Sequence, residues 1–116
     1  MQNKFYNNKM DYNGIKFSSK KELNRYKELV LLEKSGAIRD LVCQPRYTLQ
    51  ESFTLNNVNY RKIEYIADFE YYDMSLLMRV VEDVKSPFTK KLPVYGIKKK
   101  LFLRKYGMFI MFIDDI

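Results

Sequence analysis

The spacing of apolar and polar positions changes period several times along the chain, and each change predicts a new element. The clearest helix is expected from about residue 20 to residue 35. Ser19 and Glu22 form the S-x-x-E capping pattern at its start, and Gly36 follows it as a stop signal. Its inward stripe consists of residues at helical spacing, namely Leu23, Tyr26, Leu29 and Val30.

The rest of the chain predicts four strands and a second helix. Strands are expected over residues 41–50, 58–72, 77–85 and 108–113. A polar loop around Asn56-Asn57 separates the first two strands. Pro93 suits the first turn of the second helix, which should end near Gly107. The order helix, three-strand meander, helix and strand predicts a mixed α/β sheet with a helix on each side.

The length of 116 residues supports a single domain over residues 1–116. Residues 1–12 are a candidate for a loosely ordered N-terminal arm, and Asn13-Gly14 predicts a tight turn that pairs residues 10–12 with residues 15–17. No apolar run approaches the roughly 20 residues that a membrane helix needs. The polar N-terminus also lacks the apolar core of a signal peptide. We therefore expect a cytoplasmic protein without a membrane partner.

The chain has one cysteine, Cys43, and no histidine. A single cysteine excludes an internal disulfide and a cysteine-based zinc site, which suits a reducing cytoplasm. The lack of histidine excludes Ser-His and Cys-His nucleophiles and histidine-ligated zinc. Any catalysis must therefore use carboxylates, Lys, Tyr and a cation that prefers oxygen ligands.

The net charge of +7 is unevenly distributed. Residues 85–105 contain eight basic residues and no acidic one. Such a block is typical of a surface that meets a polyanion, although a solvated helix face has the same composition. Lys98, Lys100 and Arg104 lie on the predicted second helix and are candidates for contacts with nucleic-acid phosphates.

The start of the first helix is a second candidate for phosphate binding. Ser19, Lys20, Lys21 and Arg25 surround this helix terminus, whose free N–H groups attract anions. A purely solvated surface is an equal alternative for Lys20 and Lys21.

Residues 80–86, VVEDVKS, combine a strand-like pattern with charged side chains. Side chains alternate along a strand, so Asp83 and Lys85 point to one face and Glu82 to the other. On the preceding strand, Asp68 lies on the face of the even-numbered residues. If the two strands form a hairpin whose turn has an even number of loop residues, Asp68 lies on the same face as Asp83 and close to it. Two carboxylates at that distance repel each other unless a cation lies between them or one of them holds a proton.

Mg²⁺ or Mn²⁺ is the natural cation for such oxygen ligands, and Lys85 supplies a further compensating charge. The metal could polarise a phosphoryl oxygen and activate a water, with Lys85 orienting that water or stabilising the developing charge. Glu22 lies on the inward stripe of the first helix, so it can reach a metal at the sheet edge besides capping the helix. The candidate metal ligands are Glu22, Asp68 and Asp83.

Asp68, then Asp83-Val84-Lys85 on the next strand, with Glu22 on an N-terminal helix, resembles the PD-(D/E)XK nuclease superfamily. Five blocks in order are similar to a phage-encoded family of PD-(D/E)XK endonucleases described as Holliday-junction-resolvase-like. The blocks are FSSKKELNRYKEL, CQPRYTL, YIADFEYYD, VVEDVKSPFTKK and IKKKLFLRKYG. The resemblance covers nearly the whole chain, from residue 14 to residue 107.

The resemblance implies a restriction-endonuclease-like αβββαβ core and divalent-metal-dependent cleavage of DNA in a bacterial host cytoplasm. It implies catalytic residues at Glu22, Asp68, Asp83 and Lys85. It also makes Gln44 a candidate for a contact with DNA or a metal-bound water, beside the ordinary role of a polar residue entering a strand. The chain departs from the common pattern with Ala67 in place of the proline, Asp83 in place of the commoner glutamate, and Ser86 in place of glycine.

Two other functions remain open at this level. A nuclease fold without catalytic activity could bind DNA or a regulatory protein partner, and a nucleic-acid-binding module unrelated to nucleases would leave the internal carboxylates unexplained. Junction, flap, duplex and RNA all remain as substrates. Because a four-way junction requires two opposed cuts, we expect a homodimer that acts on branched or double-stranded DNA. Leu31, Leu32 and residues 108–113 are the candidate interface.

Overall fold

The structure, a computed structural model, describes residues 10–114. Over this stretch the strands are β1 (Met10–Tyr12), β2 (Ile15–Phe17), β3 (Ile38–Cys43), β4 (Arg46–Gln50), β5 (Phe53–Leu55), β6 (Val58–Tyr60), β7 (Ile63–Ile66), β8 (Phe69–Asp73), β9 (Met78–Glu82) and β10 (Ile110–Ile113). The helices are α1 (Lys20–Lys34), α2 (Pro87–Lys90) and α3 (Pro93–Tyr106), and a 3-10 turn at Gly107–Phe109 leads into β10.

The central sheet has four strands in the order β10-β9-β8-β3. β3, β8 and β9 pair antiparallel, whereas β10 pairs parallel with β9. A parallel pair needs a long crossover connection, and α2 and α3 supply it. The predicted mixed α/β sheet is therefore confirmed.

Two hydrophobic cores lie on opposite faces of this sheet. The core under α1 includes Phe17, Tyr26, Leu29, Phe69, Tyr71 and Val80. The core under α3 includes Tyr65, Ala67, Val81, Tyr95 and Phe102. Val80 and Val81 are adjacent on β9 but belong to different cores, because side chains alternate across a strand. One helix covers each face, as predicted.

The two long strands expected over residues 41–50 and 58–72 are each bent. Gln44 adopts a φ of 55° and separates β3 from β4, while Asp68 separates β7 from β8. Pairing continues through the bend, since the Gln44 N–H donates to the Asp68 carbonyl at 2.8 Å and the Ala67 N–H donates to the Pro45 carbonyl at 3.1 Å. The register shift in the β3–β8 pair lies earlier, between Arg39 and Val42, where Asp40 has a φ of 59°.

The bend also changes which face each side chain occupies. Tyr65 and Ala67 pack under α3, yet Phe69 and Tyr71, two and four positions further along, pack under α1. Unbroken alternation would have kept all four on one side. The expectation of a single even-numbered face along residues 58–72 was therefore wrong, because the strand breaks at Asp68.

Other differences are local. Met10–Tyr12 of the expected N-terminal arm forms β1 and pairs with β2 across Asn13-Gly14, while residues 1–9 lie outside the described residues. The expected polar loop at Asn56-Asn57 is a two-residue turn between β5 and β6, with both residues at positive φ. No helix within residues 10–114 is long and apolar enough to cross a membrane.

Candidate active site

Lys85 lies between the two aspartates that the sequence predicted to be neighbours. Its Nζ is 3.0 Å from Oδ1 of Asp83 and 3.8 Å from Oδ1 of Asp68. The Asp83 side chain is fully buried, and Asp68 is only 6% exposed. Burial on this scale strengthens every charge interaction, because little water screens the groups. The structure thus brings Asp68, Asp83 and Lys85 together as the sequence predicted.

The backbone around β9 fixes both aspartates. The Asp68 N–H donates to the Glu82 carbonyl at 3.1 Å, and the Val84 N–H donates to Oδ2 of Asp68. On the other edge, the Asp83 N–H donates to the Ile113 carbonyl of β10 at 2.8 Å. Because the strand bends at Asp68, the carboxylate of this residue points towards the end of β9.

Tyr65 supplies the second partner of Asp83. Its hydroxyl donates a hydrogen bond to Oδ2 of Asp83, and its ring packs in the α3 core against Phe102. Burial, followed by the negative charge of Asp83, raises the pKa of Tyr65 far above its ordinary value. The phenol therefore stays protonated and remains a donor. The sequence pattern assigned Tyr65 only to strand packing, and no local motif could have shown its partner 18 positions away.

Glu22 reaches the site from α1 and is 3% exposed. Its Oε1 accepts from the Ser18 N–H at 3.2 Å and from the Ser18 hydroxyl at 2.8 Å, while its own N–H donates to the Ser19 hydroxyl at 3.1 Å. Ser19 therefore caps α1 as predicted, while the Glu22 carboxylate accepts from Ser18 in place of the Ser19 N–H that a full capping box would use. Glu22 also lines a cavity of about 290 Å³ together with Lys16, Ser18, Gln44, Ile66, Asp68 and Lys85.

The charges of the site are strongly coupled. Burial is the main cause that raises the pKa of Asp68 to about 8, and the carboxylates of Glu22 and Asp83 add to it while Lys85 opposes. Burial alone would lower the pKa of Lys85, but the combined carboxylates outweigh it and raise the pKa above its ordinary value. Lys85 is therefore an ammonium at neutral pH, and Asp68 is poised to bind either a proton or another cation.

The donor atoms suit a hard divalent cation, although they are not a preformed cage. Among residues 10–114, no three His, Cys, Asp or Glu side chains are grouped closely enough to hold a metal ion. Mg²⁺ often binds through only one or two carboxylates, with water completing its shell. Oδ1 of Asp83 is buried, and its charged partner is the Lys85 ammonium at 3.0 Å. Asp68 and Asp83 therefore fit as a ligand pair, with Glu22 on the wall of the adjoining cavity.

Glu82, the neighbour of Asp83, faces the opposite side of the sheet as predicted. It is fully buried and accepts from Arg25 Nε at 2.8 Å and Arg25 Nη2 at 2.6 Å. The Tyr71 hydroxyl also donates to it. A third guanidinium nitrogen of Arg25 binds Glu28 at 2.9 Å. The guanidinium of Arg25, a candidate for phosphate binding, is thus committed to two carboxylates.

The other nucleic-acid candidates lie in two places. Gln44 lines the cavity, where its Nε2 donates to the Lys16 carbonyl at 2.7 Å, and Ser19 caps α1. Lys100 and Arg104 are exposed on α3 and Lys98 is half-buried. None of the ion pairs found within residues 10–114 uses these three cations, so their charge faces solvent.

A second groove extends the site in a way that the sequence did not reveal. It has a volume of about 370 Å³ and shares Ser18 and Lys85 with the first cavity. Its remaining lining residues are Ser19, Lys21, Val84, Ser86 and Thr89. The sequence pattern marked Ser86 only as a departure from a glycine and did not single out Thr89. Ser86 caps α2 and its hydroxyl donates to the Thr89 hydroxyl at 3.1 Å, and both residues line the groove together with the start of α1.

The fold and the site together define a mixed α/β protein with a buried carboxylate–lysine cluster at the edge of its central sheet. The chain belongs to the family described as "Protein of unknown function (DUF1064)", whose family model matches residues 2–112. Comparisons with curated proteins and with solved structures give no match.

Proposed function

We propose that this protein is a divalent-metal-dependent endonuclease of the PD-(D/E)XK type that hydrolyses phosphodiester bonds in DNA. The observation that carries the proposal is the position of Lys85. Its ammonium lies 3.0 Å from Asp83 and 3.8 Å from Asp68, beside a cavity that Glu22 also lines. Buried carboxylates grouped around a lysine are costly for stability, and such arrangements concentrate at functional sites.

The arrangement of elements supports the same proposal. The order of α1, three antiparallel strands, α3 and a final parallel strand agrees with the αβββαβ core that the sequence resemblance implies. Asp68 precedes the second of these strands, and Asp83 and Lys85 follow the third. Glu22 lies in the first turn of α1. Asp68, Asp83 and Lys85 thus lie at the ends of neighbouring strands, not within them, and Asp68 and Lys85 face the first turn of α1 across one cavity, an arrangement that supports the proposal.

Each residue of the site has a separate role in the proposed reaction. Asp68 and Asp83 would hold Mg²⁺ or Mn²⁺ with help from Glu22, and the bound ion would supply Lewis-acid stabilisation of negative charge on the phosphate. Lys85 orients a water or stabilises charge that develops on the phosphoryl oxygens. Tyr65 holds the Asp83 carboxylate in place.

The proposed substrate is branched or double-stranded DNA. Hydroxyl groups and Lys21 in the second groove are suited to the backbone next to the cleaved bond, since phosphate oxygens accept from such donors. The free cations of α3, Lys98, Lys100 and Arg104, would contact phosphates further along and add affinity without base specificity.

One observation favours a second candidate, a nuclease-like protein that binds DNA or a regulatory partner without cleaving. The Lys85 ammonium already pairs with Asp83 and lies near Asp68, and no three-carboxylate cluster is formed within residues 10–114. A site whose negative charge is partly compensated in this way has a weaker need for a metal ion.

Cleavage of labelled four-way junction, flap, duplex and single-stranded DNA tests the proposal, with Mg²⁺, Mn²⁺ or EDTA in parallel. We expect metal-dependent cleavage that Asp83→Asn and Lys85→Ala abolish while fold and DNA binding persist. Lys62→Ala is the matched control, because Lys62 also pairs with a carboxylate, at 3.3 Å from Glu64, but lies away from the cavity. DNA binding without cleavage of any substrate in either metal would contradict nuclease activity and favour the second candidate.

A further inference from the structure

Strands β5 and β6 form a two-stranded ribbon, Phe53–Leu55 with Val58–Tyr60, whose two faces differ in chemistry. Phe53 pairs with Tyr60 and Leu55 pairs with Val58, so four apolar side chains share one face. The other face carries the Thr54–Asn59 pair, which is linked by a hydrogen bond of 3.4 Å. The ribbon is therefore amphipathic, like a strand pair that covers a core.

No core lies under that apolar face in the described part of the chain. The exposed fractions are 44% for Phe53, 58% for Leu55, 48% for Val58 and 45% for Tyr60. The Phe53 and Tyr60 rings stack on each other with centroids 4.9 Å apart, which leaves their outer surfaces bare. A two-stranded ribbon alone is marginally stable in water and usually needs another layer against its apolar face.

The charge of the ribbon indicates which partner covers it. Residues 52–60 contain no charged side chain, in a chain of net charge +7. Neither strand carries the Lys or Arg that a DNA-binding ribbon would use. The nearest charged residues on either side of the ribbon, Glu51 and Arg61, have opposite charges, and Lys62 pairs with Glu64 at 3.3 Å. A second copy of the same chain is repelled by most of a +7 surface, but the neutral ribbon is a place where two copies can meet without that repulsion. The pattern also suits a like partner, since a two-fold contact joins identical patches.

We propose that the apolar face of the ribbon packs against the same face of a second copy of this chain and forms a two-fold dimer. This assigns the interface to a different surface from the sequence-based candidates. The run over residues 108–113 is in part committed to the fold, because Ile110, Phe112 and Ile113 pack against the two cores. Leu31 is exposed on α1 but has charged neighbours on both sides of its helix turn. The inference does not depend on nuclease activity.

Sedimentation velocity over a concentration series tests this dimer directly. We expect the wild-type chain to dimerise and the double substitution Leu55→Glu with Val58→Glu to weaken association by about tenfold or more, the effect of removing a central apolar contact. Leu31→Glu is the matched control, since Leu31 is 67% exposed and should leave the dimer unchanged. Circular dichroism of each variant checks that the sheet is retained.

A cross-linking pair provides a readout that does not depend on disrupting the ribbon. In a Cys43→Ala background, Leu55→Cys should form a covalent dimer with a short bismaleimide, whereas Leu77→Cys, 69% exposed in the turn before β9, should not. A wild-type chain that stays monomeric at every concentration overturns the proposal. Loss of DNA binding in the Leu55→Glu, Val58→Glu variant, with sedimentation unchanged, overturns it in favour of a DNA-contacting ribbon.

Discussion

Arg25 and Glu82 join α1 to β9 through two parallel hydrogen bonds of 2.8 and 2.6 Å. Arg25 lies one turn after Glu22, and Glu82 is the residue before Asp83. Because Arg25 follows Glu22 on α1 and Glu82 precedes Asp83 at the end of β9, the ion pair fixes the position of Glu22 relative to Asp83, two of the proposed metal ligands. Paired guanidinium and carboxylate groups have a fixed planar geometry, so they hold this spacing more tightly than apolar packing does.

Removing one member of this pair should be more damaging than removing both. Arg25→Met leaves the fully buried Glu82 carboxylate without its cation, and we expect a loss of about 3 kcal/mol in the free energy of unfolding. Arg25→Met combined with Glu82→Leu should recover most of it. Urea unfolding of the three proteins measures the difference. Glu28→Gln, which removes only the exposed partner of Arg25, is the control and should change little.

Asp68→Asn should stabilise the protein at alkaline pH in the presence of EDTA. The pKa of Asp68 is raised from 3.8 to about 8 in the folded protein, so the folded state binds this proton more tightly than the unfolded state. The stability from the bound proton is present at acidic pH and is lost as pH rises towards 8, where the carboxylate becomes charged. Asn cannot ionise and avoids that loss.

Thermal melts near pH 5 and pH 9 would show this, with a gain on the order of 2 kcal/mol at about pH 9 and a much smaller one at about pH 5. Asp40→Asn is the control, because its side chain is 64% exposed. An Asp68→Asn protein that is less stable than wild type at alkaline pH would show that the carboxylate has a partner that outweighs burial.

Tyr65→Phe should impair the proposed site while leaving the fold intact. The substitution removes the hydroxyl that donates to Asp83 but keeps the ring that packs against Phe102. Loss of a hydrogen bond to a buried carboxylate costs about 1–3 kcal/mol, and it should appear as weaker metal-dependent cleavage and a lower affinity for Mn²⁺. Tyr47→Phe is a matched control, since Tyr47 donates to Glu70 and its ring also packs on Phe102. Equal effects from the two substitutions would mean that Tyr65 acts only through stability.

The free cations of α3 should control how DNA binding depends on salt. Replacing Lys98, Lys100 and Arg104 by Ala should reduce the slope of log affinity against log salt by about 2 to 3, because each phosphate contact contributes about 0.9. Lys27 and Lys34 on α1, changed together to Ala, provide a comparison that removes two positive charges on the opposite face of the sheet. Fluorescence anisotropy with a labelled duplex gives the slopes, and an unchanged slope would mean that α3 is a solvated face.

Much of this fold could be predicted from short-range signals. Ser19 and Glu22 mark the start of α1, Gly36 follows its end at a φ of 84°, and alternation separates Glu82 from Asp83. The bend at Asp68 could not be predicted in this way, because neither Ala67 nor Asp68 is a glycine or a proline. Its signal lies on the partner strand, where Pro45 lacks an N–H.

Contacts between residues that are far apart in the chain could not be predicted from the sequence either. The Arg25–Glu82 pair joins residues 57 positions apart, and a pattern that repeats every few residues carries no information about such a partner. The sequence therefore indicated that Glu82 points away from Asp83, but not which cation would neutralise it.

The bend at Gln44 and Asp68 has a consequence for modularity. The β5–β6 ribbon forms an outer arm beyond β4 and β7. Tyr65 of β7 still contacts Asp83, and the inner ends of β4 and β7 are held by one clamp, formed by the Gln44–Asp68 and Pro45–Ala67 hydrogen bonds. Changes in length at the Asn56-Asn57 turn are separated from the carboxylate–lysine cluster by this clamp, and exposed turns tolerate insertion well. A fluorophore or a short peptide grafted there would report on the outer arm, while the chemistry at Lys85 stays as it is. The same clamp would let a lineage of such chains vary the arm in evolution without rebuilding the site.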